Sequence, residues 1–211
     1  MTVAAAPPAR KSFRETQFEI REEAIVDATN RLLAHKGYEL MSMDDIAAEV
    51  GIAKGSLYKH FESKEALAGA VMVRLLRRTR AALAALPADL PPYARLERLL
   101  RWTLEERLAG GVPHLPSASQ SLRDSLLANS AYMDELMTLS DAIGELIVAA
   151  KADGSLRADL RDEFVLYTFY ARSCDPTLDF LKAAGSMNDA EIVDQMVRAC
   201  LDGIGAPPRS V

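Results

Sequence analysis

Apolar residues recur at helical spacing along almost the whole chain, and almost no segment alternates apolar and polar residues as a β-strand does. The first apolar stripe predicts a helix over residues 16–35, which we expect to end in a left-handed cap at Gly37. A second, shorter helix is expected between Ser42, which suits an N-cap, and Gly51. The sequence therefore predicts an all-α fold.

A long helix is expected to begin at Ser63, because no helix-breaking residue follows before Pro87. At about 1.5 Å per residue it would span roughly 35 Å, which is long enough to connect two bodies. Further helices are predicted over residues 94–109, 117–128, 130–152, 160–173 and 189–204. The expected organisation is a flexible tail over residues 1–15, a first domain over 16–62 and a second domain over 63–211.

Composition narrows the class of protein. The 211 residues are 49% hydrophobic and 26% charged, which suits a globular chain with one large core or two modest ones. With a net charge of -5, binding to nucleic acid would require a local basic patch. Cys174 and Cys200 lack Cys or His neighbours at metal spacing, so we expect neither a disulfide framework nor a metal site, and a reducing cytoplasm is the expected setting. We also expect no cofactor. No apolar run reaches the roughly 18 residues of a membrane span.

The stretch from Gly51 to Lys64 has a local charge of +2, because it contains three lysines and one glutamate. Two short helices can cross steeply at a turn when the residues there are small, as Ala47 and Gly51 are. Leu57 and Phe61 would then face the core. The outward-facing set would be Lys54, Gly55, Ser56, Tyr58, Lys59 and His60. These residues could contact phosphates and base edges, whereas the alternative is a solvated helix face with a few lysines.

The segment MSMDDIAAEVGIAKGSLYKHFESKEAL, residues 41–67, resembles the DNA-binding signature of the TetR family of transcriptional regulators. The whole resemblance covers roughly residues 17–67. The resemblance implies a three-helix DNA-binding head with a helix-turn-helix, a C-terminal domain for ligand binding and dimerisation, and repression relieved by a small molecule. It also implies that the outward-facing set contacts operator DNA and that Lys64 touches a phosphate. Ala53 departs from the family's usual Ser or Thr, which weakens the helix N-cap by about 1 kcal/mol.

Two C-terminal segments predict a homodimer. The helix near residues 160–174 is apolar nearly all round, so it needs cover on more than one side. The helix near 189–204 carries a wide apolar stripe. Pairing both helices with their copies would form a four-helix interface. The alternative is that both helices lie within an intramolecular core.

Candidate residues for a mainly apolar effector combine aromatic, methionine and buried charged side chains. They are Trp102, Arg107, Met133, Met137, Tyr167 and Tyr170. Core packing is the alternative explanation for each of them. Two other functions remain open: a constitutive dimeric DNA-binding regulator without an effector, and a small all-helical enzyme. The enzyme lacks support because His35, His60 and His114 are scattered and no nucleophile motif is present.

Overall fold

The computed structural model describes residues 12–113 and 119–205, and every regular element within those ranges is an α-helix. The helices are α1 (Phe13–Leu40), α2 (Met43–Val50), α3 (Lys54–Leu57), α4 (Lys64–Ala84), α5 (Pro92–Leu108), α6 (Gln120–Ala128), α7 (Ser130–Ala152), α8 (Asp162–Ser173), α9 (Thr177–Ala184) and α10 (Asp189–Ile204). The predicted all-α fold is confirmed. None of these helices is both long and apolar enough to cross a membrane.

Helix α1 is longer than predicted at both ends. Ser12 caps its start, so residues 13–15, which we expected in the tail, are helical. Gly37 has the positive φ of 74° that favours glycine, but its ψ of 166° is extended, and helical turns continue to Leu40. The backbone therefore breaks at Gly37 as predicted, but the left-handed helical cap expected there is wrong.

Helix α2 has both predicted caps. The Ser42 hydroxyl accepts a hydrogen bond from the Asp45 N–H at 3.2 Å, and the Asp45 carboxylate accepts one from the Ser42 N–H at 3.0 Å. Hydrogen bonds from Lys36 and then from Ser42 lower the pKa of Asp45 to about 2. At the other end, Gly51 adopts the left-handed conformation, with φ 73° and ψ 34°. These caps fix where α2 stops and where the next helix can begin.

The later helices differ from the prediction mainly at their ends. Helix α4 begins after Ser63, whose hydroxyl accepts a hydrogen bond from the Ala66 N–H at 3.1 Å, and its 21 residues end before Pro87 is reached. The pattern did not predict α9, whose eight residues fit between Pro176 and Gly185. Residues 1–11 of the expected tail, His114 and the start of the helix predicted from residue 117 lie outside the described ranges.

The first hydrophobic core, which we call the head core, joins α1, α2 and α3 to the first half of α4. Ile25, Ile46 and Leu57 are fully buried in it, and Leu67 and Val71 supply the face of α4. Burying a side chain of this size stabilises a fold by about 1.5–3 kcal/mol. The head core therefore holds the four-residue α3 in place.

The second hydrophobic core, the body core, is built around α5, α7, α8 and α10 and includes Leu76 and Leu83 from the second half of α4. The apolar stripe of α10 faces this core and packs against α5, α8 and α9 of the same chain. Val197, for example, is 1% exposed. This stripe is therefore covered within its own chain, as the intramolecular alternative expects, and the pairing of α10 with a second subunit stays a prediction.

Helix α6 and the corner that follows it connect the two cores. Leu122 of α6 is buried in the head core. Asn129 ends α6 and caps α7, because its side-chain oxygen accepts a hydrogen bond from the Tyr132 N–H at 3.0 Å. A Cβ on Gly69 of α4 would lie only 3.0 Å from the Asn129 Nδ2. The α6–α7 corner therefore rests directly on α4, and glycine is what allows this approach.

We expect Leu122→Ala to lower the free energy of unfolding by about 2–5 kcal/mol, because it leaves a cavity in the head core. Leu127→Ala on the same helix is the control: Leu127 is 58% exposed, whereas Leu122 is 2% exposed. The control should change stability by no more than about 0.5 kcal/mol. Denaturant titration measures both. Equal stability of the two variants would mean that α6 does not contribute to the head core.

Candidate nucleic-acid interface

The turn between α2 and α3 sets the direction of α3. Gly51 turns the chain, and the Ile52 N–H donates to the Ala47 carbonyl at 3.0 Å. Leu57 is then directed into the head core beside Ile46, both fully buried. No side chain caps the start of α3 at Ala53, as the sequence indicated. The position of α3 therefore depends on this turn and on Leu57.

Most of the predicted outward-facing residues are exposed. Lys54, Gly55, Tyr58 and Lys59 reach the surface, and Ser56 is half-buried. A Cβ at Gly55 would meet no atom within 4 Å, so packing within the chain does not require glycine there. This open backbone is compatible with close approach of a second molecule.

Lys54 is paired with an acidic residue that sequence reasoning missed. Its Nζ donates to the Asp44 carboxylate at 2.8 Å, and this hydrogen bond raises the pKa of Lys54. Both side chains are largely exposed, so the pair contributes little to stability. Lys59, by contrast, has no ion-pair partner among the described residues. Ten positions separate Asp44 from Lys54 across the turn, and only the turn geometry could have linked them.

His60 does not belong to the outward-facing set. Its side chain is 3% exposed, its Nδ1 lies 3.7 Å from the Glu22 carboxylate, and its ring stacks on Phe18 with centroids 4.1 Å apart. The prediction that His60 faces DNA assumed a helix that continues through residue 60. Helix α3 ends at Leu57, and the turn that follows directs His60 towards α1.

Lys64 is anchored to the end of α1. Its Nζ donates to the Tyr38 carbonyl at 3.0 Å and lies 4.2 Å from the centroid of the Tyr38 ring. The Tyr38 hydroxyl donates to Glu65 at 2.9 Å, and burial followed by this hydrogen bond raises the pKa of Tyr38. These contacts fix the first turn of α4 against the head. Lys64 is half-buried, so its ammonium is held in one place at the edge of the candidate surface.

Four of the six candidate effector residues line one groove between α7 and α8, which we call the α7–α8 groove. Its volume is about 900 Å³. The lining residues are Met133, Leu136, Met137, Ser140, Asp141, Gly144, Glu145, Asp162, Glu163, Leu166, Tyr167 and Tyr170. Inside it, the Ser140 and Tyr170 hydroxyls lie 2.8 Å apart and share a hydrogen bond. Pocket-lining residues of this kind suit a small molecule.

The other two candidates lie elsewhere. Arg107 has a side chain that is 6% exposed, and it donates to Asp179 at 2.5 Å and to the Ser173 carbonyl at 3.3 Å. It therefore ties α5 to the end of α8 and to the first turn of α9. Trp102 packs against the body core. Neither residue lines the α7–α8 groove.

The described part of the chain contains no group of three or more His, Cys, Asp or Glu side chains that could hold a metal ion. The basic turn instead exposes a lysine and tyrosine set, Lys54, Tyr58 and Lys59. Its arrangement can present ammonium groups and hydroxyls to phosphates, and an exposed tyrosine ring and an open backbone to a groove of nucleic acid.

Comparison with known proteins identifies the same region. Residues 25–71 match the family described as bacterial regulatory proteins, tetR family. The HTH-type transcriptional repressor KstR2 of Rhodococcus jostii (strain RHA1) is 27% identical over 194 residues, which cover 89% of this chain and 92% of that protein. The matched residues include most of the head core, from Ile25 to Val71.

Solved structures share the fold. The ketosteroid transcriptional regulator KstR2 of Mycobacterium tuberculosis aligns with a TM-score of 0.65 at 20% identity, covering 89% of this chain and 96% of that one. The complex of AibR with isovaleryl coenzyme A and operator DNA aligns with a TM-score of 0.62 at 22% identity, covering 85% and 97%. Residues 25–71 of this chain therefore match the tetR family of bacterial regulatory proteins, and the chain as a whole shares the fold of these solved regulators.

Proposed function

We propose that this regulator is a repressor that binds a palindromic operator as a homodimer in the cytoplasm and is released by a small, mainly apolar effector. The observation that carries the proposal is the exposed basic and aromatic surface around α3, held in place by the head core. The Rhodococcus relative is named a repressor, and AibR was solved with both operator DNA and a small molecule. No catalytic step is assigned, because the relatives are regulators.

The proposed DNA contacts follow from exposure. Lys54, Lys59 and Lys64 would neutralise phosphates, since a lysine supplies charge with little base information. Ser56 and Tyr58 would fix the register of α3 in the major groove, and Gly55 would allow the backbone to come close. Asp44 competes with phosphate for Lys54, so DNA must displace its carboxylate.

We propose that residues 16–62 form the DNA-binding head and that residues 63–211 form the effector and dimerisation domain. The first half of α4 is shared between them, because Leu67 and Val71 lie in the head core. The head is also attached to the second domain just after α5, where the Asn30 amide donates to the Gly110 carbonyl at 3.2 Å. The two domains are therefore in direct contact at several points besides the chain connection.

The proposed route from effector to DNA begins in the α7–α8 groove. Met133, which lines the groove, lies one turn after Asn129 at the start of α7. Asn129 rests on Gly69 of α4, and α4 continues from there into the head core. A ligand that shifts the start of α7 must therefore move α4 or lose this contact. Operator half-sites about 34–36 Å apart tolerate little change in the separation of two heads.

The proposed dimer uses helices near residues 160–174 and 189–204, but with a different face of α10 from the apolar stripe. Phe164 of α8 is 58% exposed, and Phe180 of α9 is also exposed. On the outer face of α10, Ala199 and Gly203 are exposed and small enough for another helix to approach. Exposed aromatic side chains, with small residues that let another helix approach, are typical of surfaces that pair with a partner.

The constitutive regulator without an effector remains the second candidate. The observation that keeps it open is that the α7–α8 groove lies at the surface, with Met137 and Tyr167 both exposed, and is not enclosed by the body core. The two candidates differ in whether occupation of the groove changes operator affinity.

We expect Lys59→Ala to weaken binding to all DNA sequences alike and to reduce the salt slope by about one, because one phosphate contact is lost. Lys182→Ala is the control, since Lys182 is a lysine of α9 outside the head. An operator selected from random DNA by the purified protein serves as the ligand, and binding is measured at several salt concentrations. If the selection enriches no palindromic site, the proposed function is wrong.

We expect Phe164→Glu to convert the dimer to a folded monomer, because a buried charge opposes association. Val148→Glu is the control: Val148 is 56% exposed on α7 and should tolerate the charge without dissociation. Sedimentation equilibrium and thermal melting separate dissociation from unfolding. Val197 is unsuitable for this test because it lies in the body core. An unmodified protein that is monomeric at micromolar concentration contradicts the dimer.

The proposed effector switch can be tested through the reciprocal coupling between effector binding and operator binding. A compound that weakens operator binding must itself bind more weakly, by the same factor, to the operator-bound protein, and factors of about 5–150 are typical. Calorimetric titration with and without saturating operator measures this factor. A compound whose affinity is the same in both titrations occupies a site that is not a switch, and the constitutive candidate then replaces the repressor released by an effector.

A further inference from the structure

We infer that the α7–α8 groove takes a molecule with an apolar body and a positively charged head. The inference rests on the proposed function, in which this groove is the effector site, and it adds the chemical class of the ligand. It follows from the lining of the groove: its apolar and aromatic side chains, its carboxylates and an unfilled position on α7.

The apolar part of the lining suits a flexible hydrocarbon chain. Met133 and Met137 are unbranched and can repack around ligands of different shape. Leu166 adds a branched apolar surface from α8, and Tyr167 and Tyr170 add two aromatic rings. The face of a tyrosine ring attracts a cation, and it is most effective where little water intervenes.

The charged part of the lining is acidic. Asp141 and Glu145 are exposed one turn apart on α7, and neither forms a hydrogen bond or an ion pair within the described residues. Like charges at this spacing oppose helix formation. The other two lining carboxylates are already paired with basic side chains: Asp162 forms an ion pair with Lys151, and Glu163 lies 3.2 Å from Arg161. No lysine, arginine or histidine is among the lining residues, so two carboxylates remain available to a cationic ligand.

Gly144 lies between these two carboxylates, in the interior of α7. Glycine inside a helix lowers its stability relative to alanine. A Cβ at Gly144 would meet no atom within 4 Å, so no neighbour in the chain accounts for the missing side chain. The position instead leaves space beside Asp141 and Glu145, where the head of a ligand can approach the backbone.

The same charges discriminate against anions. Coenzyme A, which is part of the ligand in the AibR complex, carries negatively charged phosphates. Asp141 and Glu145 would repel such a group at neutral pH, because both sides are negative. The inferred ligand class therefore differs from that of this structural relative.

The test compares three probes with the same alkyl chain and different heads: decyltrimethylammonium, decanol and decanoate. Each is titrated calorimetrically into the full-length protein, below the concentration at which the probe forms micelles. We expect decyltrimethylammonium to bind at least about tenfold more tightly than decanoate, with decanol between them. Decanoate that binds as tightly as the cation, or more tightly, overturns the inference.

Variants show whether the probes bind in the groove, and they separate the effect of the groove carboxylates from that of the negative charge of the whole protein. Asp141→Asn combined with Glu145→Gln should weaken the cation by roughly tenfold and leave decanol unchanged. Asp134→Asn is the control, because Asp134 is exposed on the same helix and does not line the groove. Gly144→Leu should block all three probes while the melting temperature stays equal or rises, since the added side chain fills open space. Unchanged cation affinity in the double variant also overturns the inference.

Measuring operator affinity with each probe separates this inference from the proposed function. If the cation binds in the groove and operator affinity is unchanged, the ligand class stands and the effector switch fails. If decanoate alone binds in the groove and releases operator, the switch stands and the ligand class is wrong.

Discussion

The sharing of α4 between two hydrophobic cores is the constraint on which the rest of the structure depends. Leu67 and Val71 belong to the head core, and Leu76 and Leu83 belong to the body core one to four turns later. A helix is stiff over this length, so α4 transmits a displacement of one core to the other. Because this helix is shared, the position of the candidate DNA-binding residues depends on the body core as well as on the head core.

Within the head, tertiary contacts determine the position of a helix that could not exist by itself. Four residues are far too few for a stable isolated helix, because nucleation costs more than so few hydrogen bonds return. Helix α3 persists because Leu57 is buried, Gly51 sets the preceding turn, and the Tyr38–Lys64–Glu65 contacts hold α4 behind it. The candidate DNA-binding surface is thus held in place by contacts that lie mostly outside α3.

Sequence reasoning succeeded where local chemistry is decisive and failed where distant contacts are. The caps at Ser42 and Ser63 are local, and they placed α2 and the start of α4 correctly. His60 was misplaced because the end of α3 depends on packing, and its contacts with Phe18 and Glu22 lie more than three dozen residues away. An apolar stripe, such as that of α10, shows that cover is needed without showing which chain provides it. Met133, Met137, Tyr167 and Tyr170 did meet in one groove, although their role is still a proposal.

The burial of the α10 stripe within its own chain bears on how a dimer would assemble. A subunit whose last helix is already covered can fold before it meets a second copy, so folding and pairing are separate equilibria. Dimer formation then follows mass action between folded subunits. At low expression most subunits would be single, and operator occupancy would rise with the square of the subunit concentration. Exchange of subunits between old and newly made dimers would also require no unfolding.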